Sequence, residues 1–512
     1  MGWNEGCSLE RAKKKYDVTE GLVVGDIVRE TDLERTMLKN PRRIRAAHVY
    51  VDIPQFRSLL GDGEPNEEML RRMHLWAREV TKIVEGDFNA TKVHFQGPKL
   101  HALSYRPVGD DHVTVVKAVL LAAAVRATVP VFNDVLELDT DEAWSAAGGV
   151  DFGDALVTKD GVAGDRELLF LGNPANVAAK IIAGNGLRLT AEVADLLPAD
   201  VADEVFSTGQ EDVYSFTPTA KQLEELVALY GYGWSRENSR DRLVEAVSAC
   251  PAGAATVHDA SSKIDKGTLG FSNSKRVHAV SIFADVDGFT AYVAEADAAG
   301  TLPEAVRAYH VIRSEMRNTA VDDYEALRIQ YQGDRMQALA YLPLDDAEQV
   351  ALTAVRIAAA LNSVTTHVLP EVIGEAARPI AIGLAAGRVL VSKLGQHGDR
   401  DVVSLGRSTA EAARIQQALD GGQIGIDREL RDRLPAWLQG VFVWDGAPRA
   451  YVAKDLTLDE FERLEASESS SVAKGLLKAA IVGSAAAAVG TALIRSRREG
   501  NPDDPPLRPW LD

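Results

Sequence analysis

The 512-residue sequence repeats itself at a nearly constant interval, and this duplication limits the possible folds more than any other feature. Three pairs of short blocks share the same local character: 47–56 with 280–289, 94–105 with 330–341, and 171–181 with 405–415. Their offsets are 233, 236 and 234 residues. Because chance matches would not keep one spacing, the pattern predicts two homologous domains in one chain.

The matched blocks also suggest where the domains begin and end. We predict six divisions: an N-terminal extension 1–44, a first domain 45–215, a helical linker 216–276, a second domain 277–455, a C-terminal helical segment 456–500 and a disordered tail 501–512. The linker alternates apolar and charged residues at helical spacing before a stretch rich in Gly, Ala and Ser. The tail is rich in Pro and Asp, which indicates disorder.

Hydrophobic periodicity predicts an α+β fold for each copy, with helices against a largely antiparallel sheet. The elements predicted for the second copy are a strand 278–284, a helix 303–318, a hairpin formed by 324–331 and 335–341, a helix 347–361, a hairpin 379–392 and a helix from about residue 408. Gly333 and Asp334 supply strong turn chemistry at the first hairpin.

Composition excludes some classes of function. A net charge of −19 and a pI near 5.1 argue against nucleic-acid binding, which requires a basic face. The two cysteines, Cys7 and Cys250, are too few for a disulfide framework, and the N-terminus lacks a signal-peptide pattern, so we expect a cytoplasmic protein. The uncharged, Ala-rich and Gly-rich segment 479–494 is short for a membrane span; a docking or self-associating helix and membrane contact both stay open.

Two carboxylates of the second copy outline a metal site. Asp285 ends an apolar strand and Asp334 lies at a hairpin tip, so an antiparallel sheet would bring them together. Hard divalent cations such as Mg²⁺ bind a few carboxylates and keep positions for water and substrate phosphates. The alternative is that both residues are ordinary turn formers.

These residues resemble the class III adenylyl and guanylyl cyclases. Residues 283–290 (FADVDGFT) look like the first metal motif of that family, Gly333 and Asp334 look like the second, and 383–391 is similar to its Gly-rich hairpin. The resemblance implies two ferredoxin-like cyclase domains and two divalent ions, Mg²⁺ or Mn²⁺. It places the metal at Asp285, Val286 and Asp334.

The third blocks resemble the Asn-x-Ala-Ala-Arg segment of the family, and the two copies have lost complementary residues. The first copy keeps Asn176 but carries Lys180 in place of the Arg and Pro98 in place of the second metal Asp. The second copy keeps both carboxylates but carries Ala410 in place of the Asn. Because each cyclase site takes residues from two domains, the resemblance implies one active site in an intrachain pseudo-heterodimer. Asn176 and Lys180 would be its catalytic residues.

The mechanism implied is metal-assisted cyclisation of a nucleoside triphosphate with release of pyrophosphate. Backbone N–H groups at Gly288, Phe289 and Thr290 would hold the phosphates. The positions at which adenylyl cyclases read adenine hold His94 and Leu169 in the first copy, neither of which matches the family pattern. His94 is either a reader of the base or an ordinary packed or solvated histidine.

The missing adenine-reading pair and the Gln-Gly-Asp-Arg hairpin resemble the bacterial Pycsar-type pyrimidine cyclases. That resemblance implies UTP or CTP as substrate and a cyclic mononucleotide sensed by a separate effector protein in anti-phage defence. Two alternatives stay open. The chain could be an adenylyl or guanylyl cyclase with an unusual pocket, or a weakly catalytic pair that binds a nucleotide and regulates a partner.

Overall fold

The computed structural model describes residues 2–33, 36–54, 56, 65–160, 167–396 and 399–468. Within them the chain forms two nine-stranded sheets that share one strand order. The α+β class and the duplication of one domain are thereby confirmed. The predicted tail 501–512, the segment 479–494 and most of the predicted C-terminal helical segment lie outside the described residues.

The first sheet is built from the first repeat. Its described strands are β1 (Gly25–Asp26), β2 (Arg42–Asp52), β3 (Thr91–Gln96), β4 (Lys99–Ser104), β5 (Ala147–Asp160), β6 (Glu167–Leu171), β7 (Leu187–Thr190), β8 (Val205–Ser207) and β9 (Val213–Phe216). The main path runs β3-β4-β2-β5-β7-β9-β8, while β1 pairs with β2 and β6 with β5. The long strands β2 and β5 are antiparallel neighbours at the centre.

The second sheet repeats this topology with the later strands. They are β10 (Val257–Asp259), β11 (Ser274–Val286), β12 (Leu327–Gln332), β13 (Arg335–Ala340), β14 (Ile380–Gln396), β15 (Asp399–Leu405), β16 (Gln423–Ile426), β17 (Val443–Asp445) and β18 (Ala450–Lys454). The path is β12-β13-β11-β14-β16-β18-β17, with β10 on β11 and β15 on β14. Strand β10 lies inside the segment predicted as linker, and β11 begins a few residues before the predicted domain boundary.

Helices cover each sheet. Those of the first copy are Glu67–Thr81, Asp111–Val135, Asn173–Lys180, Ala191–Asp195 and Ala199–Ala202; those of the second are Phe289–Ala298, Leu302–Arg317, Ala347–Ser363, Leu369–Ile373, Arg407–Gln417, Arg428–Arg433 and Ala436–Gln439. The π-helical turns Lys82–Asp87 and Asn318–Asp323 extend equivalent helices of the two copies. This recurrence shows that the copies share local irregularities as well as topology.

Two of the described helices are long and apolar enough to cross a membrane, Asp111–Val135 and Ala347–Ala376. Both are core helices, because 83% and 72% of their most apolar windows are buried inside the protein. Each begins at an aspartate N-cap, Asp110 or Asp346, whose side chain accepts a hydrogen bond from a backbone N–H. Their apolar faces pack on the central strands of their own sheets.

The repeat extends beyond the predicted domain boundaries. Helix Glu5–Val18 comes before the first sheet, and helix Arg236–Ala249 occupies the same position before the second. Helix Ala220–Leu229 follows the first sheet, and residues 458–468 form a helix after the second. The segments predicted as extension and linker therefore contain equivalent elements of the two copies.

The two copies interlock through their long hairpins. Leu156, Leu169 and Leu171 from the β5–β6 hairpin belong to the hydrophobic core of the second copy, and the β14–β15 hairpin joins the core of the first in the same way. Lys92 binds Asp401 across the boundary at 2.8 Å. Both copies come from one chain, so the predicted intrachain pair is confirmed.

Candidate functional site

A cavity of about 1080 Å³ lies between the two copies. All the residues that the sequence singled out for the site line it: His94, Asn176, Lys180, Asp285, Val286, Gly288, Phe289, Thr290 and Asp334. The first three come from the first copy and the others from the second. The fold therefore brings together residues that lie up to 240 positions apart in the sequence.

The two carboxylates of the cavity are placed by neighbouring strands. Asp285 is the penultimate residue of β11, and Asp334 lies in the tight turn between β12 and β13. Strand β13 pairs antiparallel with β11, which brings the turn to the end of β11. Gly333 allows this turn because its φ of 67° lies in the left-handed region, where a side chain would cause strain.

Burial and mutual repulsion make these carboxylates hard to ionise. Burial raises the pKa of Asp285, although the Arg335 guanidinium and a hydrogen bond from Gln416 Nε2 at 3.2 Å oppose the shift. The pKa of Asp334 lies well above its ordinary value because the group is desolvated and faces Asp285. A divalent cation would relieve both costs, so the donor set fits one.

The described residues contain no group of three or more His, Cys, Asp or Glu side chains that could hold a metal ion. Two carboxylates suffice for Mg²⁺, which retains waters and shares the oxygens of substrate phosphates. The side chain of Val286 is apolar and buried, so only its main chain could serve as a ligand. Asp285 and Asp334 are therefore the side chains that would hold the ion.

Helix Phe289–Ala298 points its N-terminus into the cavity. Gly288 caps it with a φ of 68°, and Thr290 lies in its first turn. Free backbone N–H groups and the helix dipole make such an end favourable for anions. Phe289 is buried against the ring of Tyr309, with 5.3 Å between the ring centroids, and this contact anchors the turn.

Asn176 and Lys180 lie four residues apart on helix Asn173–Lys180 and so share one face. Both are exposed on the cavity wall. The helix lies directly on β5, since a Cβ atom at Gly149 would come within 2.0 Å of the Ala178 carbonyl oxygen. Asn176 Nδ2 donates to Thr290 Oγ1 at 2.8 Å, which joins the two copies at the site.

An aromatic wall faces the carboxylates, and sequence reasoning found only one of its members. His94 Nε2 lies 2.8 Å from Gln96 Nε2. Tyr50 and His101, which the sequence analysis missed, are cross-strand partners on β2 and β4 and stack with 4.3 Å between their ring centroids. The alternation of residues along the strands could have identified them, because it places Tyr50 and His101 on the same face of the sheet as His94.

The equivalent pocket of the opposite pairing is much smaller, about 150 Å³. Asp52 and Pro98 line it from the first copy and Ala410 from the second. The carboxylate of Asp52 pairs with Lys99 at 3.5 Å. Arg414, the counterpart of Lys180, forms an ion pair with Glu411 at 2.6 Å.

Comparisons with known proteins agree with this geometry. No protein-family model matches the chain. A uridylate cyclase of Pseudomonas aeruginosa is 30% identical over 519 residues, which cover 94% of this chain and 95% of the relative. A uridylate cyclase of a Rhizobium species is 27% identical over 425 residues, which cover 78% and 80%.

One solved structure matches over nearly the whole fold. It is a class III adenylyl cyclase-like ATP-binding protein from Pseudomonas aeruginosa, with 28% identity and a TM-score of 0.76. The match covers 91% of this chain and all of that chain. The interlocked pair of copies, the shared cavity and the uridylate cyclase that matches 94% of this chain lead to one conclusion. The chain belongs to the class III nucleotide cyclases, in the family that includes these uridylate cyclases.

Proposed function

We propose that the chain converts a pyrimidine nucleoside triphosphate, UTP ahead of CTP, into the 3′,5′-cyclic mononucleotide and pyrophosphate. Two relatives named uridylate cyclase, matched over 94% and 78% of this chain, support this substrate class. The observation that carries the proposal is the shared cavity, in which Asn176 of one copy bonds Thr290 of the other beside Asp285 and Asp334. This arrangement supports a single site that draws on Asn176, Lys180, Asp285 and Asp334.

Divalent metal ions, Mg²⁺ or Mn²⁺, are part of the proposal. Asp285 and Asp334 would hold them, with the main chain of Val286 as a further ligand. When bound, such ions lower the pKa of the substrate 3′-hydroxyl and neutralise the triphosphate. The 3′-oxygen forms a bond to the α-phosphorus as the bond to pyrophosphate breaks, and the hydroxyl proton leaves to solvent.

Groups of the protein would stabilise the rest of the negative charge on the substrate phosphates. The N-terminus of helix Phe289–Ala298, with Gly288 and Thr290, would bind the terminal phosphates through backbone N–H groups. Lys180 would stabilise the negative charge that builds up on the α-phosphate. Asn176 would orient the ribose, and its bond to Thr290 already sets its amide toward the phosphate turn.

The base is proposed to lie against His94 and Gln96. The two side chains are hydrogen-bonded to each other and carry polar atoms on the cavity wall. Because Leu169 occupies the second adenine-reading position, the pocket lacks the carboxylate expected of an adenylyl cyclase. This composition supports a pyrimidine.

ATP is the second candidate substrate, since the solved relative is described as an ATP-binding protein. A weakly catalytic pair that regulates a partner is a third possibility, which Lys180 in place of Arg favours.

We further propose that the cyclic product is a signal in bacterial anti-phage defence, sensed by a separate effector. The domain boundaries and the cytoplasmic location also stay predictions.

Incubation of the purified chain with Mn²⁺ and each of the four nucleoside triphosphates separately tests the proposal. We expect cyclic UMP as the main product, with cyclic CMP next, identified by mass and by chromatographic retention against standards. Cyclic AMP as the main product would favour the second candidate. Binding without turnover of any triphosphate would favour the regulator.

A further inference from the structure

Each copy begins with a helix that packs on the other copy. Helix Glu5–Val18 precedes the first sheet in sequence but lies against helix Leu302–Arg317 of the second copy. Helix Arg236–Ala249 precedes the second sheet but packs on helices Glu67–Thr81 and Asp111–Val135 of the first. Since β1 and β10 both stay in their own sheets, the two leading helices are exchanged.

The N-terminal helix is bound to the second copy through a partly buried ion cluster. Arg11 donates to both carboxylate oxygens of Asp323, at 2.8 and 2.9 Å, and to Glu315 at 3.3 Å. Ser8 Oγ donates to the same oxygen of Glu315 at 2.8 Å. The side chain of Glu315 is fully buried, so the Arg11 charge compensates a carboxylate that has no access to water.

The linker helix repeats this cluster on the first copy. Arg242 donates to Asp87 at 2.8 and 3.1 Å and to Glu79 at 2.7 Å. Ser239 accepts a hydrogen bond from the same guanidinium at 3.3 Å. The exposed fractions also match, at 28% for the Arg242 side chain and 29% for that of Arg11. The chain therefore contains two equivalent ion clusters. The Arg11 clamp consists of Ser8, Arg11, Glu315 and Asp323, and the Arg242 clamp consists of Ser239, Arg242, Glu79 and Asp87.

The clamp on the second copy is connected to the carboxylates of the cavity. Helix Leu302–Arg317 carries Tyr309, whose buried hydroxyl donates to the Gly333 carbonyl oxygen at 2.7 Å. Gly333 precedes Asp334 in the hairpin turn, and the Tyr309 ring also contacts Phe289 at the phosphate turn. The equivalent residue of the first copy is Met73, which has no hydroxyl.

We propose that Arg11 and Tyr309 are positioning residues for the metal-binding hairpin. The exchanged N-terminal helix sets helix Leu302–Arg317, and Tyr309 transmits that setting to Gly333 and so to Asp334. The idea rests on the proposed function, because it assigns a metal to Asp334. The Arg242 clamp fixes the leading helix of the second copy on the first copy. The hairpin of the first copy carries Pro98 in place of a metal-binding Asp, so the Arg242 clamp does not position a metal ligand.

The two clamps supply a matched pair of variants in the full-length chain, Arg11→Gln and Arg242→Gln, with Tyr309→Phe as a milder change. Mn²⁺ binding is measured by calorimetry, and amide hydrogen exchange is followed over the hairpin 327–340. We expect Arg11→Gln and Tyr309→Phe to weaken Mn²⁺ binding about tenfold or more and to speed exchange in the hairpin. Arg242→Gln should match Arg11→Gln in thermal midpoint yet leave both readouts near wild type.

Equal effects of the two Arg variants on Mn²⁺ binding and hairpin exchange would overturn the inference, as would no effect of Tyr309→Phe. Failure of the proposed function has a different signature. It would appear as Mn²⁺ binding that Asp334→Ala leaves unchanged, and hairpin exchange in the Arg11 and Arg242 variants would then decide the inference by itself.

Discussion

Asn176 of the first copy and Thr290 of the second are joined by a hydrogen bond of 2.8 Å between the amide Nδ2 and the hydroxyl Oγ1. The contact places the helix that carries Lys180 against the turn that follows Asp285. The contact joins the two halves of the site, because the first copy supplies the Asn and the Lys and the second copy supplies the two carboxylates.

Removal of either carboxylate should abolish cyclisation. We expect Asp285→Ala and Asp334→Ala to lower turnover ~10³-fold or more, because each loses part of the charge stabilisation that a metal provides. Turnover is measured from cyclic product formed with Mn²⁺. Asp52→Asn is the matched control, since Asp52 lies in the small pocket beside Lys99 and should leave the rate near wild type. Normal turnover by either alanine variant would disprove the metal assignment.

Two inactive chains should not restore each other. Asn176→Ala and Asp334→Ala break opposite halves of the one shared site, and both halves come from the same chain. A mixture of the two purified variants should therefore remain inactive. If halves were exchanged between chains, up to about a quarter of the wild-type rate would return by statistical pairing. Recovered activity, together with a dimer mass in solution, would contradict intrachain pairing.

Lys180 should matter for the rate while its counterpart should not. Lys180→Ala is expected to lower kcat ~10²-fold or more with a smaller change in KM, because charge on the α-phosphate grows in the transition state. Lys180→Arg should retain or raise activity, since a guanidinium binds phosphate oxygens bidentately. Arg414→Ala is the control, because Arg414 is held by Glu411 on the opposite side of the pair. A loss of rate in Arg414→Ala at unchanged thermal midpoint would contradict the assignment.

The stability of the fold should fall in mild acid because of buried histidines. Burial lowers the pKa of His48 to about 3 and that of His74 to about 4, from an ordinary value of 6.5. Between pH 6.5 and pH 4 the unfolded chain therefore binds protons that the folded chain does not. The contribution of the buried, neutral histidines to the free energy of unfolding is complete above pH 6.5 and is lost as the pH falls toward 4.

Each of these histidines should reduce the free energy of unfolding by about 1.4 kcal/mol per pH unit within that window. Urea unfolding at pH 5 and pH 6, both inside this window, measures the slope. His74→Gln should reduce the slope by about one proton relative to wild type. An unchanged slope in this variant would show that His74 is not buried in its neutral form.

Several features of the fold and the site were visible in the sequence because their signals are local. Block repeats revealed the duplication, and Gly333 with Asp334 revealed the hairpin turn through its backbone chemistry. The complementary losses at Pro98 and Ala410 indicated which pairing of copies builds the site. Its predicted residues all line one cavity.

The exchange of the leading helices was decided only by tertiary structure. Arg11 and Arg242 follow Ser8 and Ser239 at the same spacing, but that spacing does not reveal on which copy each helix packs. The acidic partners Asp323 and Glu79 lie 312 and 163 residues away in the sequence. Tyr50 and His101 meet only because β2 and β4 pair in one register. Sequence by itself determined the repeated units, since periodicity and turn chemistry act between near neighbours. The packing of buried charges and rings between units depends on long-range contacts that no local pattern encodes.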